Sequence, residues 1–141
     1  WELLARGDDL TADEGDDLLG RAYAAAHHWR LASGTGPAQA ARASWLVSRA
    51  HAVLGHGDLA LHHADRCAAT VEEAGLADFD LAYAREARAR ALACLGRDGE
   101  ASQSREAARL VPIADDEDRA LFESDLAAGP WYGLPVAATQ R

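Results

Sequence analysis

Apolar residues recur along this chain at the three- and four-residue spacing of amphipathic helices, and alternating strand-like runs are almost absent. The first clear helix is predicted to begin after Thr11, because Thr11 and Glu14 have the spacing of a capping box. The apolar positions on one face of this helix are Leu18, Ala22, Ala25, Ala26 and Trp29. The pattern predicts an all-α protein.

Glycine and proline residues divide the remaining sequence into five further helices and a tail. The predicted helices cover residues 37–54, 57–73, 78–95, 100–110 and 115–128. We expect a single domain over residues 1–141, with about six helices packed around one core. Its predicted parts are a leading helix in residues 11–36, a first hairpin in 37–75, a second hairpin in 78–112, a capping helix in 115–128 and a tail in 129–141.

Two stretches of the chain share a helix–glycine–helix form, SRAHAVLGHGDLALHHADRC and ARARALACLGRDGEASQSREA. Their turn glycines, Gly55 and Gly96, are 41 positions apart, which lies in the range of helical-hairpin repeats. Small residues fall at regular places around both turns, and these are Ser48, Ala60, Ala64 and Cys67 in the first stretch, and Ala89, Ala101 and Ala108 in and after the second. Small side chains let neighbouring helices cross closely and stack.

On these residues the sequence resembles the tetratricopeptide repeat family over residues 38–113, with Pro112 near the usual terminal proline of a repeat. It departs from the family pattern at His51 and Leu92, which replace bulky residues, and at Arg105, where a small or aromatic residue is usual. The resemblance implies antiparallel helical hairpins stacked as a short right-handed superhelix. It also implies that the first helix of each repeat lines a concave ligand surface.

The predicted helix at residues 37–54 carries charge on the side that should face the core. Arg42, Trp45 and Arg49 fall within about 60° of the helical wheel. Because a buried, unpaired arginine is costly, this face either pairs its charges or borders a groove. The residues that the resemblance places on the concave surface are Arg42, Trp45 and Arg49 from one repeat and Tyr83, Glu86 and Arg90 from the next. His28 flanks the apolar face of the first helix, and we expect it to reach the same groove.

This constellation predicts a non-catalytic module that binds a protein or peptide partner carrying acidic or carboxylate groups. A guanidinium offers a planar fork for a carboxylate, and Trp45 and Tyr83 offer flat apolar area beside it. Some members of the family hold the acidic C-terminus of a partner peptide, although their usual Lys/Asn pattern is not reproduced here. In the alternative structural interpretation, Arg49 pairs with Glu86 or Asp65 and Trp45 is a core residue. No catalytic signature is present, and we expect neither enzymatic activity nor a cofactor.

The histidines raise a second alternative, a metal-binding or enzymatic protein. His63 and Cys67 are four positions apart and could share a helix face, but zinc generally needs three or four ligands. The missing ligands would have to come from His27, His28 or His51 on other helices. We therefore predict that no metal binds, that Cys67 is a small core residue and that His63 borders the core.

Charge and composition exclude several classes of partner. The net charge of −9 argues against nucleic-acid binding, which requires a basic surface. No apolar run approaches the ~20 residues of a membrane span. Two cysteines do not form a disulfide framework, so we expect a reduced, cytoplasmic setting. The basic residues are all Arg and Ala is abundant, as is typical of GC-rich bacterial genomes. Because the sequence contains no Met, a third alternative is that it is a regulatory piece of a longer chain.

The C-terminal tail carries an apolar cluster formed by Trp131, Tyr132, Leu134 and Pro135. Since exposed aromatic side chains tend to become buried, this cluster is predicted to cap the last helices. The alternative is that it inserts into the groove of a neighbouring molecule, which would produce a homodimer through the tail or autoinhibition.

Overall fold

The structure is a computed structural model, and it describes residues 2–32 and 34–135. This part of the chain contains seven α-helices, a 3₁₀ turn at Gly7–Asp9 and no strand, so the all-α prediction is confirmed. The helices are α1 (Glu2–Arg6), α2 (Ala12–Leu31), α3 (Pro37–Val53), α4 (Gly57–Glu73), α5 (Asp78–Cys94), α6 (Asp98–Arg109) and α7 (Asp116–Ala127). The six predicted helices correspond to α2–α7, and their ends agree to within two residues. The short helix α1 was not predicted, because five residues are too few to show a period.

The capping box at the start of α2 is formed as its spacing predicts. The Thr11 hydroxyl accepts from the Glu14 backbone N–H at 3.3 Å, and the Glu14 carboxylate accepts from the Thr11 N–H at 2.9 Å. Arg6, at the end of α1, donates to the same carboxylate at 2.5 and 2.9 Å. The Arg6 guanidinium and the Thr11 N–H together lower the pKa of Glu14 to about 2. This contact therefore joins α1 to the beginning of α2.

Helices α3 and α5 end with the same turn geometry, which gives a physical basis to the sequence repeat. The turn glycines Gly55 and Gly96 have φ values of +78° and +72°, in the left-handed region where a Cβ is disfavoured. After each glycine the backbone N–H bonds back to the helix, from His56 to His51 O and from Arg97 to Leu92 O, both at 2.9 Å. Both turns therefore reverse the chain into the next helix in the same way.

Small residues bring these helices close together. Helix α3 packs on α4, α4 on α5 and α5 on α6, and α3 also packs directly on α5. Ala60, Ala64, Ala89 and Ala101 have no exposed surface, and the Ser48 hydroxyl donates to the Ala60 carbonyl at 2.8 Å. The two hairpins are thus stacked, with their first helices side by side. The right-handed superhelical twist stays a prediction.

The tail folds back on its own chain. Trp131 and Leu134 are buried, and the Trp131 indole N–H donates to the Leu126 carbonyl at 3.1 Å. The guanidinium groups of Arg90 and Arg105 lie 4.2 Å from the Trp131 ring centre. The predicted cap is therefore confirmed for Trp131 and Leu134, whereas Tyr132 is 41% exposed and Pro135 is exposed as well. Residues 136–141 lie outside the described part. A homodimer through the tail stays a prediction.

We predict that the stacking tolerates bulk only on the solvent side of α4. Ala64→Leu places three extra carbons where no surface is exposed, and it should lower the free energy of unfolding by about 1–3 kcal/mol or more. Ala69→Leu, on the exposed side of the same helix, is the matched control and should change it little. Urea unfolding of both variants measures the difference, and equal stability of the two would contradict close helix stacking.

Candidate functional site

A cavity of about 640 Å³ lies against α3 and is lined from α1, α2, α4, α5 and α7 as well. Its walls are mostly apolar. Aromatic side chains form one side, where the Trp45 and Tyr83 rings meet edge to face at 5.3 Å between centres and the Phe79 ring lies 4.6 Å from Tyr83. Leu4, Leu46 and Leu121 add aliphatic surface. Apolar cavities of this size with a few polar groups are typical of ligand sites.

Four charged side chains line the cavity, and these are Arg42, Arg49, Asp80 and Asp125. Arg42 and Asp80 form a two-point ion pair at 2.8 and 3.3 Å, so each charge has a partner. Asp125 accepts from the Tyr83 hydroxyl at 2.6 Å. Burial and this carboxylate raise the pKa of Tyr83 above its ordinary value. Tyr83 is therefore a neutral donor that is already used.

Behind the aromatic wall lies a buried carboxylate, Glu86, with no exposed surface. It accepts from the Trp45 indole N–H at 2.9 Å and from the Arg90 guanidinium. Burial acts to raise the pKa of Glu86, but the charges of Arg90 and Arg49 outweigh it and hold the pKa below its ordinary value. Glu86 is thus an ionised group within the core.

Arg90 connects this carboxylate to the end of α7. Its remaining N–H groups donate to three backbone carbonyls, those of Asp125 at 2.6 Å, Ala128 at 3.0 Å and Pro130 at 3.3 Å. Carbonyls at a helix C-terminus lack helical partners and carry partial negative charge. Arg90 therefore satisfies both Glu86 and the end of α7, and it fixes the segment that closes one side of the cavity.

Arg49 has no comparable set of partners. Its side chain is 9% exposed, and its Nε lies 4.0 Å from the nearest Glu86 oxygen. Its Nη2 reaches the Gly129 carbonyl at 3.4 Å, and its Nη1 has no hydrogen-bond partner among the described residues. Burial, followed by repulsion from Arg90, lowers the pKa of Arg49 to about 10, so the group is still a cation at neutral pH. The cavity wall therefore contains a buried cation with an unused donor.

The structure brings four of the predicted site residues to one cavity, namely Arg42, Trp45, Arg49 and Tyr83. Glu86 and Arg90 were expected to line it as well, and this expectation is corrected. Both lie behind the wall, because they neutralise each other and Arg90 is covered by α7 and the tail. His28 is exposed and does not line the cavity, whereas its neighbour Trp29 does.

Several lining residues were missed by sequence reasoning. Phe79 and Asp80 precede Tyr83 by one helical turn, so extending the Tyr83 face towards the start of α5 would have found them. Leu4, Leu121 and Asp125 come from α1 and α7, whose positions depend on the tertiary fold. No local pattern in the sequence indicates that α1 packs on α3 or that α7 packs on α5.

The histidines form a separate cluster between α2, α3 and α4. The Tyr23 hydroxyl lies 2.8 Å from His51 Nε2 and 3.3 Å from His63 Nε2, and the rings of His51 and His63 are parallel with centres 5.9 Å apart. His51 Nδ1 is also 3.1 Å from His56 Nδ1. Burial lowers the pKa of His51, and burial with the nearby charges lowers the pKa of His63 to about 4. The lowered pKa values favour the neutral rings of His51 and His63 as hydrogen-bonding groups.

The metal alternative gains no support from this arrangement. In residues 2–32 and 34–135, no group of three or more His, Cys, Asp or Glu side chains is placed to hold a metal ion. Cys67 lines the cavity, while His63 contacts Tyr23 and His51 instead. Burial raises the pKa of the Cys67 thiol to about 12, which opposes the thiolate that a metal requires.

The chain gives no match to protein-family models, to curated proteins or to solved structures. The tetratricopeptide resemblance therefore depends on the turn glycines and small residues described above. None of the helices in the described ranges has the length and apolar character needed to cross a membrane.

We predict that Glu86→Gln is strongly destabilising. It leaves the buried Arg90 guanidinium without its hydrogen-bonded counter-charge, and it should lower the free energy of unfolding by about 3–5 kcal/mol. Glu100→Gln, which removes an exposed partner of Arg97, is the control and should have a much smaller effect. Chemical denaturation measures both, and similar values for the two variants would show that Glu86 carries no special role.

A second prediction concerns pH. The pKa of His63 is about 4 in the folded chain, whereas an unperturbed histidine, as in the unfolded chain, has a pKa of 6.5. As pH falls, the unfolded chain therefore binds the proton first. The free energy of unfolding should therefore begin to decrease below about pH 6.5. The charged and titratable neighbours of His63 are Tyr23, His51, His62 and Arg66.

His63→Gln keeps a group able to bond the Tyr23 hydroxyl and removes the titration. Between pH 6.5 and 5 its stability should fall less steeply than that of the unmodified protein. His28→Gln, at an exposed position on α2, should leave the slope unchanged. Thermal unfolding across this pH range provides the measurement, and parallel curves for all three proteins would rule the effect out.

Proposed function

We propose that this protein is a non-catalytic binding module that holds a carboxylate-bearing partner in the cavity against α3. Arg49 is the observation that carries the proposal, since it is a buried cation with an unused N–H and it lines a mostly apolar cavity. Leaving such a group without a partner is costly, and a carboxylate from a ligand would remove that cost.

The arrangement of the helices supports this interpretation. The first helices of the two hairpins, α3 and α5, both contribute to the cavity, as the tetratricopeptide resemblance implies for a ligand surface. Arg42, Trp45 and Arg49 come from α3, and Tyr83 comes from α5. A protein or peptide partner is one source of the carboxylate under this proposal.

A reducing compartment such as the cytoplasm is part of the same proposal. Cys67 and Cys94 are both free thiols. Cys67 is buried beside the cavity, where a bulky oxidised product would compete with a ligand. Free thiols are usual in proteins of reducing compartments.

The test is a titration of the unmodified protein with two carboxylate probes, an acidic hexapeptide with a free C-terminus and benzoate. At least one probe should bind, and Arg49→Ala should weaken that binding by about tenfold to a hundredfold, the effect of losing a hydrogen bond between charged groups. Isothermal titration calorimetry gives both affinities.

Arg88→Ala is the matched control. The Arg88 side chain on α5 forms an ion pair with Asp65 on α4 at 3.2 Å, and it does not line the cavity. Its removal should leave the affinity unchanged. The proposal fails if neither probe binds, or if both arginine variants bind as well as the unmodified protein does.

A further inference from the structure

We infer that the ligand of the cavity is a small apolar monocarboxylic acid, a free molecule with one carboxylate on an aromatic or aliphatic body. This inference rests on the proposed function and narrows its ligand to one chemical class. Three properties of the cavity lead to it: the number of free cationic donors, the pairing of the other polar groups, and the apolar character of the walls.

The charged side chains that line the cavity favour a ligand with a single negative charge. Two cations and two anions line it, and the Arg42–Asp80 pair is closed on itself. Only the Arg49 guanidinium, among the described lining residues, combines nine-tenths burial with a donor that has no partner. A second carboxylate on the ligand would meet Asp80 or Asp125 and would lose its hydration without gaining a partner. The geometry therefore favours monoanions over dianions.

The other polar groups of the wall are already bonded to one another. The Tyr83 hydroxyl donates to Asp125, and the Trp45 indole N–H donates to Glu86. A peptide threaded into this space would bring backbone N–H and C=O groups, each of which needs a partner when buried. The wall offers them almost none. A ligand whose body is hydrocarbon has no such requirement, and this is why a free acid fits better than a peptide segment.

The size and lining of the cavity match such a body. The volume of about 640 Å³ falls within the range of about 300–1,000 Å³ of sites for small ligands. The Trp45 and Tyr83 rings meet edge to face and the Phe79 ring is tilted against Tyr83, and all three residues line the cavity. Trp29 and Leu121 line it while 37% and 52% exposed, so they lie where it opens to solvent. An apolar chain entering past them would end with its carboxylate at Arg49.

The experiment compares three eight-carbon probes, octanoate, octanamide and octanedioate, by isothermal titration calorimetry, with the acidic hexapeptide as a fourth arm. Octanoate should bind at least about tenfold more tightly than octanamide, because the amide carries no charge for Arg49. It should also bind at least about tenfold more tightly than octanedioate, whose second carboxylate has no partner. The hexapeptide should bind more weakly than octanoate.

Variants separate the charge from the cavity. Arg49→Met should abolish the preference for octanoate over octanamide, whereas Arg49→Lys, which keeps a cation, should retain part of it. Ala41→Leu places bulk in the wall about two helical turns from Arg49 on α3, so it should weaken the binding of octanoate and of octanamide alike and leave their ratio unchanged. Arg88→Ala is again the control. Circular dichroism establishes that each variant is folded.

The inference would be overturned if octanamide or octanedioate bound as tightly as octanoate. It would also be overturned if Arg49→Met kept the full preference for octanoate over octanamide. If the hexapeptide alone binds and depends on Arg49, the inference fails while the proposed function stands. If no carboxylate binds at all, both fail. The two failures are therefore distinguishable in one set of titrations.

Discussion

The structure depends on one buried ionised group, the carboxylate of Glu86. Removing a charge from water is costly unless it is paired and hydrogen bonded, and Glu86 meets this requirement with Arg90 and the Trp45 indole. Because Arg90 also holds the carbonyls that end α7, the same carboxylate connects α3, α5 and α7. The position of α7 then places Asp125 and Gly129 at the cavity. The cavity therefore depends on Arg90, which neutralises Glu86 and holds the end of α7 in place.

Arg49 differs from Arg90 although both are buried guanidinium groups beside one carboxylate. Arg90 uses its donors within the fold, while Arg49 keeps one donor unused and lies 4.0 Å from Glu86. A buried polar group without a hydrogen-bond partner calls for an explanation, and a ligand in the cavity that Arg49 lines supplies one. The unused donor of Arg49 thus has a functional interpretation that packing alone does not supply.

The sequence was sufficient for the local structure and insufficient for the site. Helix ends followed from local signals, such as the capping box at Thr11 and the turn glycines Gly55 and Gly96, whose effects act over a few residues. The roles of Glu86 and Arg90 depend on α7 and the tail, which are distant in sequence, so a position on a helical wheel could not distinguish wall from core. Arg105 illustrates the same limit. Its departure from the repeat pattern is explained by Trp131, over whose ring it lies, and by its bond to the Leu126 carbonyl at 3.2 Å.

Arg90 holds the fold together, whereas Arg49 is kept for a ligand. The most direct test of this difference is to measure the free energies of unfolding of Arg49→Met and Arg90→Met in the absence of ligand. Loss of Arg90 removes the hydrogen-bonded counter-charge of Glu86 and a donor to the carbonyls at the end of α7, and it should cost about 3–5 kcal/mol. Loss of Arg49 removes a cation with an unused donor and should change the stability by less than about 1 kcal/mol, or raise it. An equally large loss in both variants would mean that Arg49 is a structural partner of Glu86, and it would contradict the account.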